Sequence, residues 1–181
     1  MSKYVSVPLL CVAALLVLTA CPAHDPNRLP EDPELRELAV LLRSLAAGGP
    51  EEAAQAVVED AGSKILALLR PVEEGLAPLR LSLERLRVEG SLFFELALST
   101  AEDRQLGLHL FYRADLPGSV ARAFGEEDVL GFPAQSYADE HLFVLAGRFE
   151  IRAFQTSEQM RDQARLHEVV NLLPLAELAQ L

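Results

Sequence analysis

Between Leu92 and Tyr112 the chain alternates with a period of two. Leu92, Phe94, Leu96 and Leu98 fall on one side and Phe93, Glu95, Ala97 and Ser99 on the other. After the polar stretch Ser99 to Gln105, Leu106, Leu108, Leu110 and Tyr112 alternate with Gly107, His109, Phe111 and Arg113. Successive side chains of a strand point to opposite faces, so this pattern predicts an antiparallel pair sharing one strongly apolar face. Such a face has to be covered.

The flanking segments supply the cover. Asp32-Pro33 is a helix start, an acid able to accept from free amides followed by a proline that needs no donor. Leu35, Leu38, Leu41, Leu42 and Leu45 then recur at helical spacing until Ala46-Ala47-Gly48-Gly49. A second start is read at Pro50-Glu51-Glu52, with Ala54, Val57, Val58, Ala61, Ile65, Leu68 and Leu69 on one face and Pro71 as its stop. Residues 72–88 fit either period. Val72, Leu76, Leu79, Leu83 and Leu86 suit a helix, whereas Leu79, Leu81 and Leu83 alternate; a strand from near Leu79 is the reading taken. A further hairpin is predicted over Leu142–Phe154, turning at Gly147-Arg148, with Phe149, Ile151 and Ala153 inward and Arg148, Glu150 and Arg152 outward. Thr156-Ser157-Glu158-Gln159 reads as a capping box opening a last helix, lined by Leu166, Val169, Val170 and Leu173 and ended by Pro174. The class predicted is α+β: an antiparallel sheet of two or more hairpins, with an N-terminal helical hairpin and a C-terminal helix packed on it.

The amino terminus carries a different signal. Lys3 precedes a 14-residue apolar stretch, Val5 to Leu18, broken only by Ser6 and Pro8. That is too short for a spanning helix, which needs about 20 residues, and suits an export signal. Leu18-Thr19-Ala20-Cys21 follows and resembles the lipobox of bacterial lipoproteins. The resemblance implies removal of residues 1–20, diacylglycerol on the Cys21 thiol and acylation, such as palmitate, of the new amino terminus. Two or three acyl chains, at ~0.8 kcal/mol per buried methylene, make such an anchor effectively permanent. The implied place is the cell envelope; Pro22, where an Asp would retain the protein at the inner membrane, favours the outer membrane facing the periplasm. Residues 21–33 hold four prolines and form a semi-rigid tether, leaving 34–181 as a single α+β domain.

Removing the signal changes the net charge from −11 to −12, because Lys3 leaves and no acid does. An acidic body argues against nucleic acid as a partner, which requires a basic face to displace counterions. With Cys11 discarded and Cys21 acylated, the body has no thiol, so disulfides, thiolate catalysis and cysteine-ligated metals are excluded. No cofactor and no metal are expected. The chain lacks a His-Glu-x-x-His helix, a Gly-x-Ser-x-Gly elbow, a phosphate-binding loop and a dinucleotide fingerprint. Tyr137-Ala138-Asp139-Glu140-His141 gathers two acids and a histidine, but a site needs partners from elsewhere, and a solvated loop end is the reading preferred. His109 is expected opposite the leucine face, His167 beside the apolar stripe of the last helix, and Ser119 at a helix start with no base in view.

The 27 residues from Ala114 to Glu140 are read as a long loop with one weak helical segment, Ser119 to Phe124. Loops of this length are often functional, and Glu126, Glu127, Asp128, Phe132 and Tyr137 are its candidate contact surface. The function expected is a non-catalytic binding or accessory role for a membrane-tethered envelope lipoprotein, docking an envelope protein. The alternative is a carrier or chaperone for an apolar ligand such as lipid. A hydrolase of envelope material, built on Asp139 and His141, ranks third.

Overall fold

A computed structural model describes residues 28–48, 55–88, 91–101, 103–113, 127–138, 140–156 and 162–181. The elements, in chain order, are α1 (Pro33–Ala47), α2 (Gln55–Leu68), α3 (Arg70–Gly75), β1 (Arg80–Val88), β2 (Leu92–Ser99), β3 (Arg104–Tyr112), β4 (Glu127–Val129), β5 (Phe132–Tyr137), β6 (His141–Ala146), β7 (Phe149–Gln155), α4 (Gln163–Asn171) and α5 (Leu175–Gln180). The strands form one sheet in the order β1-β2-β3-β7-β6-β5-β4, and every neighbouring pair is antiparallel. The fold is α+β, an antiparallel sheet backed by helices.

Alternation decides which face is buried. Leu92, Phe94, Leu96 and Leu98 of β2, Leu108, Leu110 and Tyr112 of β3, Phe149 and Ile151 of β7, and Leu142 and Val144 of β6 are all fully enclosed. They form one cluster with Leu42 of α1, Ile65 of α2, Val72 of α3, Val170 of α4 and Leu178 of α5. The helices therefore share one side of the sheet. α2 and α3 lie on β1, α1 on β2 and α2, α4 on β6 and β7, and α5 on β6 and α1. Each fully buried leucine contributes roughly 2 kcal/mol through removal of apolar surface from water.

Local chemistry sets the helix ends. The Asp32 carboxylate accepts from the amides of Glu34 and Leu35 at 2.9 and 3.0 Å, with Pro33 behind it, as the sequence predicts. The end of the expected tether is pinned: Arg36 donates to the Pro30 carbonyl at 2.9 Å and Arg43 to that of Arg28 at 3.3 Å. Pro71 sits in the first turn of α3, so the proline that stops α2 also opens the next helix.

Three expectations change. The last helix begins at Gln163 behind Asp162, whose carboxylate accepts from Ala164 at 3.0 Å. Thr156 instead prolongs the sheet, donating its amide to the Gln105 carbonyl at 3.2 Å; Ser157 to Arg161 lie outside the described residues. Pro174 precedes a further short helix, α5. Much of the expected 114–140 loop is sheet, because β4 and β5 form a hairpin that continues β6 outward; residues 114–126 lie outside the described residues.

Two glycines stand in left-handed backbone, and their surroundings differ. Gly147, φ +57°, turns β6 into β7 with the Ala179 backbone 2.3 Å from where a Cβ would be; Gly131, φ +85°, has nothing within 4 Å. Gly131→Ala is expected to cost about 1–2 kcal/mol in backbone strain alone. Gly147→Ala adds a clash with the α5 main chain and is expected to cost about 3 kcal/mol or more. Urea unfolding of the two variants checks this; equal losses would mean that α5 gives way without resistance.

Candidate functional site

No described helix lies on the second face of the sheet, and it is occupied by rings and guanidinium groups. Register places Phe93 opposite Phe111, His109 opposite Arg152, Arg152 opposite Phe143, and Phe154 between Gly107 and His141. The Phe93 and Phe111 centroids are 4.7 Å apart, Phe93 and His109 5.0 Å, and His109 and Phe154 4.6 Å. Cross-strand aromatic pairs of this kind stabilise a sheet by up to about 1 kcal/mol each. Gly107 makes room for them. A Cβ there would lie 2.3 Å from the Phe154 ring, so the ring rests on bare backbone.

Arg152 holds the centre. Its guanidinium lies 5.2 Å from the Phe154 centroid and 5.6 Å from that of Phe143, both cation–π contacts. Its Nη2 is 3.3 Å from the His141 ring nitrogens, while its Nε is buried with no hydrogen-bond partner. Burial, and then the Arg152 charge, push the His141 pKa below its ordinary value, with Glu140 opposing. A neutral imidazole is the form that tolerates the adjacent Arg152 charge.

Arginines continue across the face. Arg85 and Arg87 are exposed on β1, opposite Glu95 and Phe93, and Arg113 pairs with Glu150 at 2.9 Å. This surface offers ring area beside guanidinium donors, which is the chemistry of non-covalent recognition.

The residues proposed from sequence are dispersed. Cys21, Glu126, Ser119 and Asp139 lie outside the described residues. The Glu127 carboxylate accepts from the Ser136 amide at 3.0 Å and its hydroxyl at 2.7 Å, and Asp128 accepts from the Gly131 amide at 2.7 Å. Both acids brace their own hairpin. Phe132 is half-buried against the core. Tyr137, 65% exposed, alone reaches the aromatic face, its ring stacked 6.4 Å from His141. His109 lies opposite the leucine face, inside the ring cluster, and His167 is half-buried on α4. Sequence reasoning missed Phe143, Phe154 and Arg152 as a unit, although the run of rings at outward positions of β2, β3 and β7 was visible.

A concavity of about 490 Å³ lies between α1, α2 and α3, floored by Leu35, Leu38 and Leu68. Its rim is bound up internally, since Lys64 pairs with Glu37 and, at 3.1 Å, with Asp60. Among the described residues no group of three His, Cys, Asp or Glu side chains is placed to hold a metal ion, and no helix is long and apolar enough to cross a membrane. No family model matches the chain, and neither a curated protein nor a solved structure is significantly similar to it.

The depressed His141 has a consequence for stability. Below its ordinary pKa of 6.5 the unfolded chain takes up a proton that the folded chain resists. The His141 contribution is thus full above pH 6.5 and lost as pH falls through the folded value. Thermal melts from pH 7.5 to 5 are expected to show a smaller acid destabilisation for His141→Gln than for the parent; parallel curves would remove His141 as the cause.

Proposed function

We propose that this protein is a lipid-anchored envelope lipoprotein whose body is a non-catalytic binding module, contacting an envelope protein through the outer face of its sheet. The observation that carries the binding part is the cluster of Phe93, His109, Phe143 and Phe154 around Arg152, on a face to which no described helix contributes. Aromatic residues and arginine are the side chains enriched where proteins bind one another. The anchor rests on the lipobox resemblance at Leu18-Thr19-Ala20-Cys21. A carrier of apolar ligands draws less support, because the leucines that would line its cavity are packed into the sheet–helix core.

Two measurements test the parts separately. Cells labelled with palmitate should incorporate it into the full chain and not into Cys21→Ala, which should also leave the membrane fraction; label retained without Cys21 would end the anchoring claim. A photo-crosslinking residue placed at Arg87 should capture an envelope protein, and one at exposed Val40 on α1 should not. Capture from Val40 alone would move the binding surface to the helices.

A further inference from the structure

The two edges of the sheet are defended differently. β4 has three residues, and its Glu127 and Asp128 carboxylates brace their own hairpin. β1, the other terminal strand among the described residues, has nine and contains neither proline nor lysine. An edge of that length is a template for further strand pairing unless something blunts it. The device present is a bulge. Leu83 pairs with Leu96 and Arg85 with Glu95, so Glu84 has no opposing residue on β2. Ser82 donates its hydroxyl to the Glu84 carboxylate at 2.9 Å, which sets both on the outer side.

The same bulge makes the strand symmetric. Leu81, Leu83, Leu86 and Val88 pack towards the core, while Ser82, Glu84, Arg85 and Arg87 lie on the outer side. That pattern reads the same from either end about the point between Glu84 and Arg85. We propose that β1 pairs antiparallel with β1 of a second copy of this chain, about a two-fold axis at that point, joining two sheets into one. Leu83 then meets Leu86 of the second copy, Leu81 meets Val88, Ser82 meets Arg87 and Glu84 meets Arg85. Opposite charges facing across a strand pair are favourable and like charges are not. Arg85 stands in this pairing between Glu95 of its own sheet and Glu84 of the second copy. A slip of one residue either way sets Glu84 against Glu84 or Arg85 against Arg85, and brings a leucine opposite a charge of the other face.

A regular strand laid against this edge has to leave Glu84 unopposed, as β2 does. A second copy carries the same extra residue at the same place and leaves none unopposed. The apolar residues of β1 also have burial to gain. On β2, Leu92, Phe94, Leu96 and Leu98 are fully enclosed, whereas Leu81, Leu83, Leu86 and Val88 are half-buried. α2 lies over the same stretch, since a Cβ on Gly62 would be 2.7 Å from the Leu83 side chain and 3.7 Å from that of Leu86. It does not close the edge, and its Val58 and Leu66 are half-buried too. A two-fold axis through the sheet keeps both helical layers on one side, so the α2 helices of the two copies meet across it. Pairing uses the edge and leaves the aromatic face as it is, so this inference stands apart from the binding reading above.

The test uses the full chain. Opposed residues of an antiparallel pair have Cα atoms about 4.5–5.5 Å apart, within reach of a disulfide. S82C and R87C, co-expressed and mildly oxidised, are therefore expected to form a covalent dimer whose linked peptides carry positions 82 and 87. Neither variant alone is expected to couple at its new thiol, because each position lies five residues, roughly 17 Å, from its own symmetry mate. The parent, which keeps Cys11 and Cys21, controls for other thiol coupling. Sedimentation in detergent measures the strength, expected as a Kd on the order of tens of micromolar for an edge smaller than the ~800 Å² per partner of a standard interface. E84R and R85E each set like charges opposite one another and are expected to weaken the dimer about tenfold, and E84R/R85E to restore it. Thermal melts of the same variants separate loss of pairing from loss of fold. A chain that stays monomeric at hundreds of micromolar, coupling of S82C or R87C with itself, or a dimer indifferent to E84R would overturn the proposal.

Discussion

Leu96, Leu98, Leu108 and Leu110 lie in the middle of the sheet with no exposed surface, beneath helices that bring Leu42, Ile65, Val170 and Leu178 against them. The rest of the structure depends on this contact. Helices at both ends of the chain bury their apolar stripes on the same side, so among the described residues one face of the sheet is covered by helices and the other by its own side chains. No described helix protects the backbone of that second face. Cross-strand rings do so, Phe154 lying on Gly107 and Phe93 against Phe111. The patch that offers a binding surface is thus the same device that shields the centre of the sheet.

This double use explains why Arg152 sits where it does. Between Phe143 and Phe154, a neutral side chain of similar length would cover the rings, but only a cation gains from their negative faces. The position is not fully satisfied. The buried Nε has no hydrogen-bond partner, and the contact to His141 at 3.3 Å is long. An unmet donor costs about 1–3 kcal/mol when buried. Arg152 is therefore held by its two rings more than by hydrogen bonds, and its charge, after burial, lowers the proton affinity of its histidine neighbour.

How much of this was legible follows from where periodicity was clean. β2, β3 and β7 were readable because each alternates, and the β6–β7 hairpin because the apolar run of β6 turns at Gly147. β1 was ambiguous for a definite reason. Its inward residues are Leu81, Leu83, Leu86 and Val88, and the bulge at Glu84 inserts a step of three among steps of two. That mixture imitates helical spacing. β4 and β5 escaped notice because one has three residues and the other carries Pro133, which is allowed on the outer strands where donors are not all required. The aromatic face was the least legible. Each strand shows its outward rings singly, and only the strand order β2-β3-β7-β6 brings Phe93, His109, Phe154 and Phe143 into one patch.

The charge distribution carries the same lesson further. The net of −11 belongs to the whole chain, and cations and acids are interspersed on α1 and α3. On the outer sheet face alternation puts Arg85, Arg87 and Arg152 on the side away from the leucines, with Glu95 opposite Arg85 and Glu150 paired to Arg113. The segment leading in from the amino terminus is pinned to α1 through Arg36 and Arg43. α1 belongs to the helical layer, so under the proposed anchoring the tether enters on the layer opposite the rings. Anchor and binding surface then occupy opposite faces of one sheet. An anchor attached on that side would leave the aromatic face accessible to a partner in the envelope.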